Sequence, residues 1–245
     1  MNQVLKQLKE RKSVRVFMDR PILPAEEAAI LEGAVNAPTA GNQQLYTIIR
    51  VTDPTLKAQL AESCDHQPFI AKAPLVLVFC ADCRKWYKTF EAFGCDPRKP
   101  GVGDLLLAVS DANIAAQNAV VAAQSLGIGS CYIGDIMENA EQQRKLLSLP
   151  KYVFPAAMLV FGYPAPSQLE RPKPPRSPMA QIVHDNGYRD MQPQELEQML
   201  SVKTGAREFD EWIKAFCQRK YNSDFSREMT RSVGVFLEDF AEQNG

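Results

Sequence analysis

The sequence has no excess of charge of either sign, since 28 basic and 29 acidic residues leave a formal net charge of −1. General nucleic-acid binders need a cationic surplus to neutralise phosphates, so no nucleic-acid partner is expected. Long apolar runs are also missing, because the longest, Ala73–Ala81, is far shorter than the roughly 20 residues that span a bilayer. Residues 1–15 lack the apolar core of a signal peptide. These absences favour a cytoplasmic protein that does not enter membranes.

Metal ligands and disulfide frameworks are scarce as well. His66 and His184 are the only histidines, and six cysteines in a chain of 245 residues do not resemble a secreted disulfide scaffold. The chain has no Walker loop, no GxGxxG or GxSxG motif and no zinc-ligand spacing. Cys80 and Cys83 have the spacing of a redox pair, but a buried strand residue followed by a loop residue is the simpler explanation. The sequence therefore predicts no metal site.

The hydrophobic pattern predicts a succession of helices and strands. Helices are predicted over 2–10, from Pro24 to before Pro38, and over 53–63, and strands over 45–51, 73–80, 128–133 and 156–161. The strand at 73–80 is apolar throughout, which is typical of a strand buried on both faces. This order indicates a mixed α/β or α+β domain with a helical C-terminal tail.

The most informative predicted element is a helix from Asp104 to Leu126, which is apolar over most of its circumference. A helix of this kind lies inside the protein or in a subunit interface. Its many alanines allow a second backbone to approach closely, and Gly127 ends it in the usual manner.

Residues 163–193 contain seven of the 17 prolines and are predicted to be extended and irregular. Such a long irregular stretch is often functional or wraps around a partner. Three helices are predicted after it. Two apolar stripes at helical spacing, from Phe209 to Phe216 and from Phe225 to Phe240, must pack on the main body or on a partner subunit.

Short clusters of polar side chains suit ligand binding, although each has a structural alternative. Arg11, Lys12, Ser13 and Arg15 present convergent donors that suit a phosphate, or they form the cationic end of the first helix. Residues 37–44 gather amides and a hydroxyl in a glycine-containing loop. This loop fits the edge of a heterocycle, or it is an ordinary polar connection.

Two further clusters lie later in the chain. The strand at 127–135 is flanked by glycines, which let backbone N–H groups approach a ligand closely. Arg171, Lys173 and Arg176 stand in the proline-rich arm, where they either fasten a phosphate or keep the arm soluble.

In combination these clusters resemble the nitroreductase family of flavoproteins. In chain order, the shared features are Arg-Lys-Ser-Val-Arg-Val-Phe at 11–17, Ala-Pro-Thr-Ala-Gly-Asn-Gln-Gln at 37–44, an alanine-rich helix leading into Gly-Ile-Gly at 127–129, and Phe-Gly-Tyr-Pro at 161–164. Lys-Pro-Pro-Arg at 173–176 and Val-His-Asp-Asn-Gly-Tyr at 183–188 are similar to the larger branch of the family, the nitroreductase A and flavin reductase P type. The resemblance covers residues 3–190.

The resemblance implies an α+β sandwich with a central mixed sheet, a long buried helix and a C-terminal helical extension. It also implies a homodimer that holds two FMN molecules at its interface. Residues 1–193, including the proline-rich arm, are then expected to form the FMN-binding core. Residues 194–245 are expected to form a helical extension, packed on the same domain or on the dimer partner.

A set of FMN contacts follows from the resemblance. The phosphate, the ribityl chain and the N1/O2 side of the ring would meet Arg11, Lys12, Ser13 and Arg15, with Lys173 and Arg176 completing the phosphate clamp. The ring would be lined across the dimer by Pro38, Thr39, Gly41 and Asn42, and it would face the amide of Gln67. One ring face would be covered by Tyr132, Ile133, Gly134 and Asp135, which would offer a backbone N–H to N5.

The implied activity is a ping-pong transfer of hydride from NAD(P)H to FMN and then to a nitroaromatic, quinone or free flavin, with no catalytic side chain. Arg219 and Lys220 match a basic stretch that holds the 2′-phosphate of NADPH in the larger branch. Asp224 would repel that phosphate, so both NADH and NADPH are expected as donors. The alternatives are dehalogenation or azo reduction on the same scaffold, or a flavin-binding sensor or store without turnover.

Overall fold

The computed structural model describes residues 1–241 and divides the chain into two units. The first unit contains residues 1–171 and the chain from Glu228 onwards, and the second contains residues 172–227. The predicted boundary at residue 193 falls inside the second unit. The division into an FMN-binding core and a helical extension stays a prediction.

Four strands form the sheet of the first unit, namely β1 (Tyr46–Val51), β2 (Leu75–Asp82), β3 (Gly129–Ile133) and β4 (Val153–Gly162). They lie in the order β1-β2-β4-β3 and all pair antiparallel. β2 and β4 are buried along their whole length, as the apolar run at 73–80 predicts for β2. The resemblance implied a mixed sheet. Within residues 1–241 the parallel component is a single bridge between Ser13 and Ser130, because the chain around Ser13 runs beside β3 without becoming a full strand.

Eight α-helices lie in the chain up to residue 171, and the longest of them packs against the sheet. They are α1 (Gln3–Glu10), α2 (Pro24–Val35), α3 (Pro54–Ser63), α4 (Pro68–Lys72), α5 (Arg84–Ala92), α6 (Val102–Ser125), α7 (Ala140–Leu147) and α8 (Pro166–Glu170). The predictions of α1, α2, α3 and α6 are confirmed to within two residues. Asp53 caps α3 as expected, since its carboxylate accepts from the N–H groups of Thr55 at 3.0 Å and Leu56 at 3.2 Å. The predicted order also contains a helix between the strands at 128–133 and 156–161, where α7 lies. The sequence did not predict α4, α5 and α8, and α4 and α8, with five residues each, are too short to show a helical period.

The central helix of the first unit is α6. One face, from Leu105 to Ala123, is buried against α2, β2 and β4. A Cβ added to Gly33 of α2 would lie 2.9 Å from the Cβ of Ala122, which confirms the close backbone approach that the alanines predicted. By length and composition alone α6 could cross a membrane, yet it forms the core here. The opposite face is not covered by other residues in the described part of this chain, and Leu106 on it is 63% exposed. Within one chain the helix is therefore buried along one face only.

The second unit begins with an irregular stretch. Residues 172–192 contain a single short 3₁₀ helix at Met179–Gln181, in agreement with their proline content. Helices α9 (Pro193–Ser201) and α10 (Phe209–Lys220) follow. In α10 the ring of Trp212 is 4% exposed and lies 5.0 Å from that of Phe216, so part of the predicted stripe packs within the helix itself.

The last helix, α11 (Asp224–Ala241), starts in the second unit and continues into the first. In the first unit the ring of Phe236 meets Phe154 edge-on at 5.1 Å, and Phe240 meets Tyr152 at 5.5 Å. This confirms that the second predicted apolar stripe packs on the main body of the chain.

Candidate functional site

Residues 11–15 run alongside β3 and bring two of the predicted clusters together. The N–H of Val14 donates to the carbonyl of Ser130 at 3.0 Å, next to the bridge between Ser13 and Ser130. Gly129 makes this approach possible, because a Cβ at that position would lie 2.6 Å from Cγ2 of Val14. The basic segment therefore lies beside the strand that the glycines flank.

A second set of contacts joins the basic segment to the chain around α8. The ammonium group of Lys12 donates to the carbonyl of Leu169 at 2.8 Å and to that of Arg171. In return, Nη2 of Arg171 donates to the carbonyl of Ser13 at 2.7 Å. Arg171 thereby joins the predicted cations, and one of the three N–H groups of Lys12 remains for another partner.

Arg11, Lys12, Arg15 and Arg171 form a group that we call the cationic cluster. The Nε atoms of Arg11 and Arg171 are buried and have no hydrogen-bond partner. Within residues 1–241 none of the four side chains forms an ion pair. Buried N–H groups without acceptors cost free energy, and a phosphate supplies the oxygens that they lack. The cationic cluster therefore fits the FMN phosphate that the resemblance implies.

Lys173 and Arg176, the other half of the implied phosphate clamp, lie in the second unit. Nη1 of Arg176 donates to the carbonyl of Pro174 at 3.2 Å, which holds the side chain along its own arm. The contact of these two residues with a phosphate stays a prediction.

Arg219 and Lys220 end α10, also in the second unit. The guanidinium of Arg219 lies 5.4 Å from the ring centroid of Phe216, and the ammonium of Lys220 lies 5.9 Å from that of Phe225. Both cations and Asp224 are exposed. A dinucleotide phosphate can reach them, and their role in binding NAD(P)H stays a prediction.

The loop of residues 38–45 is shaped by a buried carboxylate of α6. Asp111, at 2% exposed, accepts hydrogen bonds from the hydroxyl of Thr39 and from the N–H groups of Ala40 at 3.0 Å and Leu45 at 3.2 Å. The sequence reasoning missed Asp111. The signal for it is that no other charged residue occurs in α6 after its first turn, and an isolated buried charge needs a structural or functional partner.

The tip of this loop is exposed. Gly41 and Asn42 have φ angles of 55° and 57°, in the left-handed region that glycine and asparagine tolerate best. Pro38 is also exposed, whereas Thr39 turns inward to Asp111. The tip is therefore open to a ligand held by another subunit, in keeping with the implied contact across a dimer.

The turn after β3 presents backbone with little side-chain cover. The hydroxyl of Tyr132 donates to Oε1 of Gln117 at 3.3 Å, and burial raises the pKa of Tyr132 to about 12, so the phenol stays protonated. Ile133 is buried, and Gly134 opens a short 3₁₀ helix. A Cβ added to Gly134 meets nothing within 4 Å. A flat ring can approach the backbone here, as the predicted flavin contact requires.

Gln67 lies just before α4, in a turn fastened to the end of α3. Its N–H donates to the carbonyl of Ala61 at 2.9 Å, and its side-chain Nε2 donates to that of Cys64 at 2.8 Å. The amide nitrogen is thus used within the fold. The side-chain oxygen is the atom left to face a ligand.

A buried carboxyl group stands next to the predicted site residue Asp135. Glu138 is 5% exposed, and its Oε1 is buried without a hydrogen-bond partner. Burial raises the pKa of Glu138 to about 7, and the carboxylates of Asp135, Asp65 and Glu228 add to the rise. Glu138 therefore keeps its proton up to neutral pH. No local pattern identifies this residue, because the carboxylates of Asp65 and Glu228 that act on it come from distant parts of the chain.

A cleft of about 1020 Å³ opens beside Arg15. Phe69 lines it, with its ring centroid 6.0 Å from the guanidinium carbon of Arg15, and Arg20 and Lys72 add positive charge. A cleft of this size with aromatic and cationic walls suits a planar anionic ligand.

Cys80 and Cys83 are not arranged as a reactive pair. Both are buried, and burial raises the pKa of each thiol to about 12, whereas a reactive cysteine needs exposure and a lowered pKa. This supports the structural explanation.

The two histidines are engaged in contacts near them in the chain. Nδ1 of His66 lies 2.8 Å from a carboxylate oxygen of Glu62, one turn earlier, and Nδ1 of His184 accepts a backbone N–H at 3.2 Å. In the described part of the chain no group of three or more His, Cys, Asp or Glu residues could hold a metal ion.

Comparison with known proteins supports the resemblance. The Nitroreductase family profile matches residues 8–163. The FMN reductase (NAD(P)H) of Bacillus subtilis strain 168 is 32% identical over 240 residues, which are 97% of this chain and 92% of the relative. The oxygen-insensitive NADPH nitroreductase of Salmonella typhimurium is 35% identical over 192 residues, which are 78% and 77% of the two chains. The solved structure of B. megaterium NfrA2 has a TM-score of 0.83 at 29% identity and covers 100% of both chains. This likeness confirms the implied sandwich fold.

Proposed function

Because the chain belongs to the nitroreductase family, we propose that it is an FMN-dependent NAD(P)H oxidoreductase that reduces nitroaromatics, quinones or free flavins. The observation that carries the proposal is the cationic cluster, whose buried guanidinium Nε atoms lack the acceptors that a phosphate provides. The names of two relatives, an FMN reductase and a nitroreductase, support the same chemistry.

In this proposal the chain's own residues bind and orient the cofactor. Arg11, Lys12, Ser13 and Arg15 hold the phosphate, the ribityl chain and the N1/O2 side of the ring, and Lys173 and Arg176 complete the set of cations for the phosphate. Gln67 and the backbone from Tyr132 to Asp135 face the ring within the same subunit, and Pro38, Thr39, Gly41 and Asn42 line the ring held by the other subunit of the dimer. Bound FMN supplies the two-electron redox chemistry, while the protein provides orientation, positive charge and exclusion of water. No side chain is required as a nucleophile.

The proposed assembly is a homodimer formed through α6. Its open face carries large apolar side chains, among them Leu106 at 63% and Ile114 at 40% exposed. An exposed helix face with large apolar side chains, here interspersed with Ser110 and Asn113, is typical of a subunit interface. Sedimentation is expected to give a dimer, and Leu106→Glu to give a monomer that has lost FMN.

The balanced net charge provides no cationic surplus for a nucleic acid. A cytoplasmic enzyme that acts on small molecules, without a membrane partner, is part of the proposal. Residues 1–193 would form the cofactor-binding core, and residues 194–245 the helical extension.

Both NADH and NADPH are proposed as donors. Arg219 and Lys220 supply positive charge for a 2′-phosphate, and the exposed carboxylate of Asp224 opposes it. The Arg219→Ala and Lys220→Ala variants should therefore raise KM for NADPH and leave KM for NADH nearly unchanged. An NADPH preference that survives both substitutions would show that the 2′-phosphate of NADPH binds elsewhere.

The deciding experiment is the visible absorption spectrum of the purified protein before and after anaerobic addition of NAD(P)H. A yellow protein that bleaches is the expected result. A yellow protein that does not bleach would indicate a flavin sensor or store instead. A colourless protein that cannot be reconstituted with FMN would refute the proposal. Azo dyes and halogenated aromatics, offered to the bleached protein, test the alternative acceptors.

A further inference from the structure

A second cavity of the first unit has a volume of about 480 Å³ and shares no lining residue with the cleft beside Arg15. We call it the aromatic cavity, because Trp86, Tyr87 and Phe90 line it together with Leu45 and Leu107. We propose that the aromatic cavity binds the ring of an uncharged, planar aromatic compound.

Helix α5 supplies the aromatic wall. Trp86, Tyr87 and Phe90 are spaced so that they share one face of the helix. The indole N–H of Trp86 donates to the carbonyl of Gln43 at 2.8 Å, so its polar atom is satisfied within the fold. The rings of Trp86 and Phe90 lie 5.6 Å apart at 37°, and Trp86 is partly buried whereas Phe90 is exposed. A flat ring placed against them would bury further aromatic surface, which is favourable.

The opposite wall, residues 95–100, is already ordered by polar contacts. Arg98 makes two hydrogen bonds to the carboxylate of Asp104, at 2.6 and 2.9 Å. The same carboxylate accepts the N–H of Gly101 at 2.8 Å, at the start of α6. A ligand meets a preformed wall, so little ordering is needed on binding. Volumes of about 300–1000 Å³ with apolar walls and few polar groups are typical of small-molecule sites.

The charge of the lining selects against anions. It contains two carboxylates, Asp96 and Asp104, and one guanidinium, Arg98, which pairs with Asp104. Burial raises the pKa of Cys83 to about 12, so its thiol adds a neutral, apolar surface. FMN and NAD(P)H carry phosphates and are therefore poor ligands here, whereas an uncharged ring is not repelled.

The position of the cavity suggests what the ligand is for. Gln43, on its wall, directly follows Asn42 at the exposed tip of the 38–45 loop. If the proposed function holds, and this tip lies against the flavin of the partner subunit, an uncharged aromatic acceptor is held next to the reaction site. That interpretation rests on the proposed function, but binding to the cavity does not.

The test uses the purified protein without any electron donor, so that binding is measured apart from turnover. The chain has two tryptophans, and Trp212→Phe leaves Trp86 as the reporter. The probes are 4-nitrobenzamide, which is uncharged, and 4-nitrobenzoate, which has a similar shape and a negative charge. Saturable quenching of Trp86 by the amide and at least about fivefold weaker binding of the benzoate are expected.

Matched variants locate the probe. Phe90→Ala should weaken 4-nitrobenzamide binding about five- to tenfold, whereas Phe93→Ala, at an 83% exposed residue outside the lining, should not. Asp96→Asn should improve binding of 4-nitrobenzoate and leave that of the amide unchanged.

A second readout uses the exposed thiol of Cys95 in the cavity wall. In a Cys217→Ser variant, Cys95 is the one cysteine that remains exposed, since the other four are buried. Bound 4-nitrobenzamide should slow its alkylation, as followed by mass spectrometry. Quenching that does not saturate, equal binding of both probes, or a Cys95 that a dimer contact shields before any probe is added would each overturn the proposal.

Discussion

Two polar centres of the first unit differ in how their hydrogen-bonding groups are satisfied. Around Asp111, one buried carboxylate accepts three hydrogen bonds from the 38–45 loop. In the cationic cluster, buried Nε atoms of Arg11 and Arg171 have no acceptor. The two centres lie in the same unit and both consist of polar groups withdrawn from water.

The difference separates polar groups that build the fold from polar groups that await a ligand. A satisfied buried network stabilises the chain and is lost at high cost, whereas an unsatisfied one destabilises the free protein and becomes favourable when the missing partner binds. Substitution at the first centre should therefore act on stability, and substitution at the second on ligand affinity.

Asp111→Ala is expected to have the largest effect. It leaves the Thr39 hydroxyl and two backbone N–H groups without an acceptor, which should lower the free energy of unfolding by about 3–5 kcal/mol. Urea denaturation measures this. Asp53→Ala is the control, because an exposed helix cap that also accepts two N–H bonds should cost only about 1 kcal/mol. Equal losses in the two variants would contradict the comparison.

Glu138 provides a third polar centre. Here the buried group is a carboxyl group whose Oε1 has no hydrogen-bond partner. Its pKa in the folded protein, about 7, lies above the ordinary value of 4.5, so the unfolded chain releases the proton at lower pH. Stability should therefore fall as pH rises from 4.5 to 7 and level off above that. Glu138→Gln should remove this loss, making the variant about 3 kcal/mol more stable than the parent at pH 8 and equal to it near pH 4. Denaturation curves across this pH range decide the matter, and a pH-independent difference would refute the assignment.

Arg11→Gln tests the centre that awaits a ligand. The dissociation constant of FMN, followed by flavin fluorescence, should rise about 10- to 30-fold, which is about 1.4–2 kcal/mol. The stability of the FMN-free protein should not fall, because no internal hydrogen bond of the guanidinium is lost. Arg50→Gln, which removes an exposed ion pair with Glu27, should leave FMN affinity unchanged. A loss of protein stability without a loss of FMN affinity would show that Arg11 stabilises the fold, as Asp111 does, instead of binding the ligand.

The smallest effect is expected at the tip of the satisfied loop. Gly41 has a φ of 55° and room for a Cβ, so Gly41→Ala should cost about 1 kcal/mol from backbone strain alone. Gly134→Ala is the matched control, because Gly134 is not in the left-handed region and also has room for a Cβ. Thermal denaturation should separate the two variants, and equal melting temperatures would contradict the strain argument.

Sequence periodicity located the elements whose pattern is long enough to be unambiguous. The helix α6 was predicted because each of its turns repeats the same apolar pattern, and the strand β2 because nearly all of its residues are apolar. α4 and α8 contain five residues each, which is less than two turns. Their formation depends on tertiary packing that no local pattern records.

The candidate site was predictable where the chemistry is local. Arg11, Lys12 and Arg15 could be recognised as a basic cluster from spacing, and the resemblance supplied their role. Asp111 could be noticed only as an isolated charge in α6, and Glu138 could not be noticed at all. The partners of both residues come from segments far apart in the chain. Arg171 joins the cationic cluster through hydrogen bonds with Lys12 and Ser13, which are more than 150 residues away in the sequence.

The glycine pair at the end of the β3–β4 ladder has a consequence for folding. Gly129 and Gly162 are register partners, and a Cβ on either would collide with the N-terminal segment, at Val14 or at Phe17. The segment can settle there only after two strands that follow it by more than 110 residues have paired. Such non-local contacts form slowly, because a long loop must close first. During synthesis the cationic cluster is thus completed only once residue 171 has emerged from the ribosome.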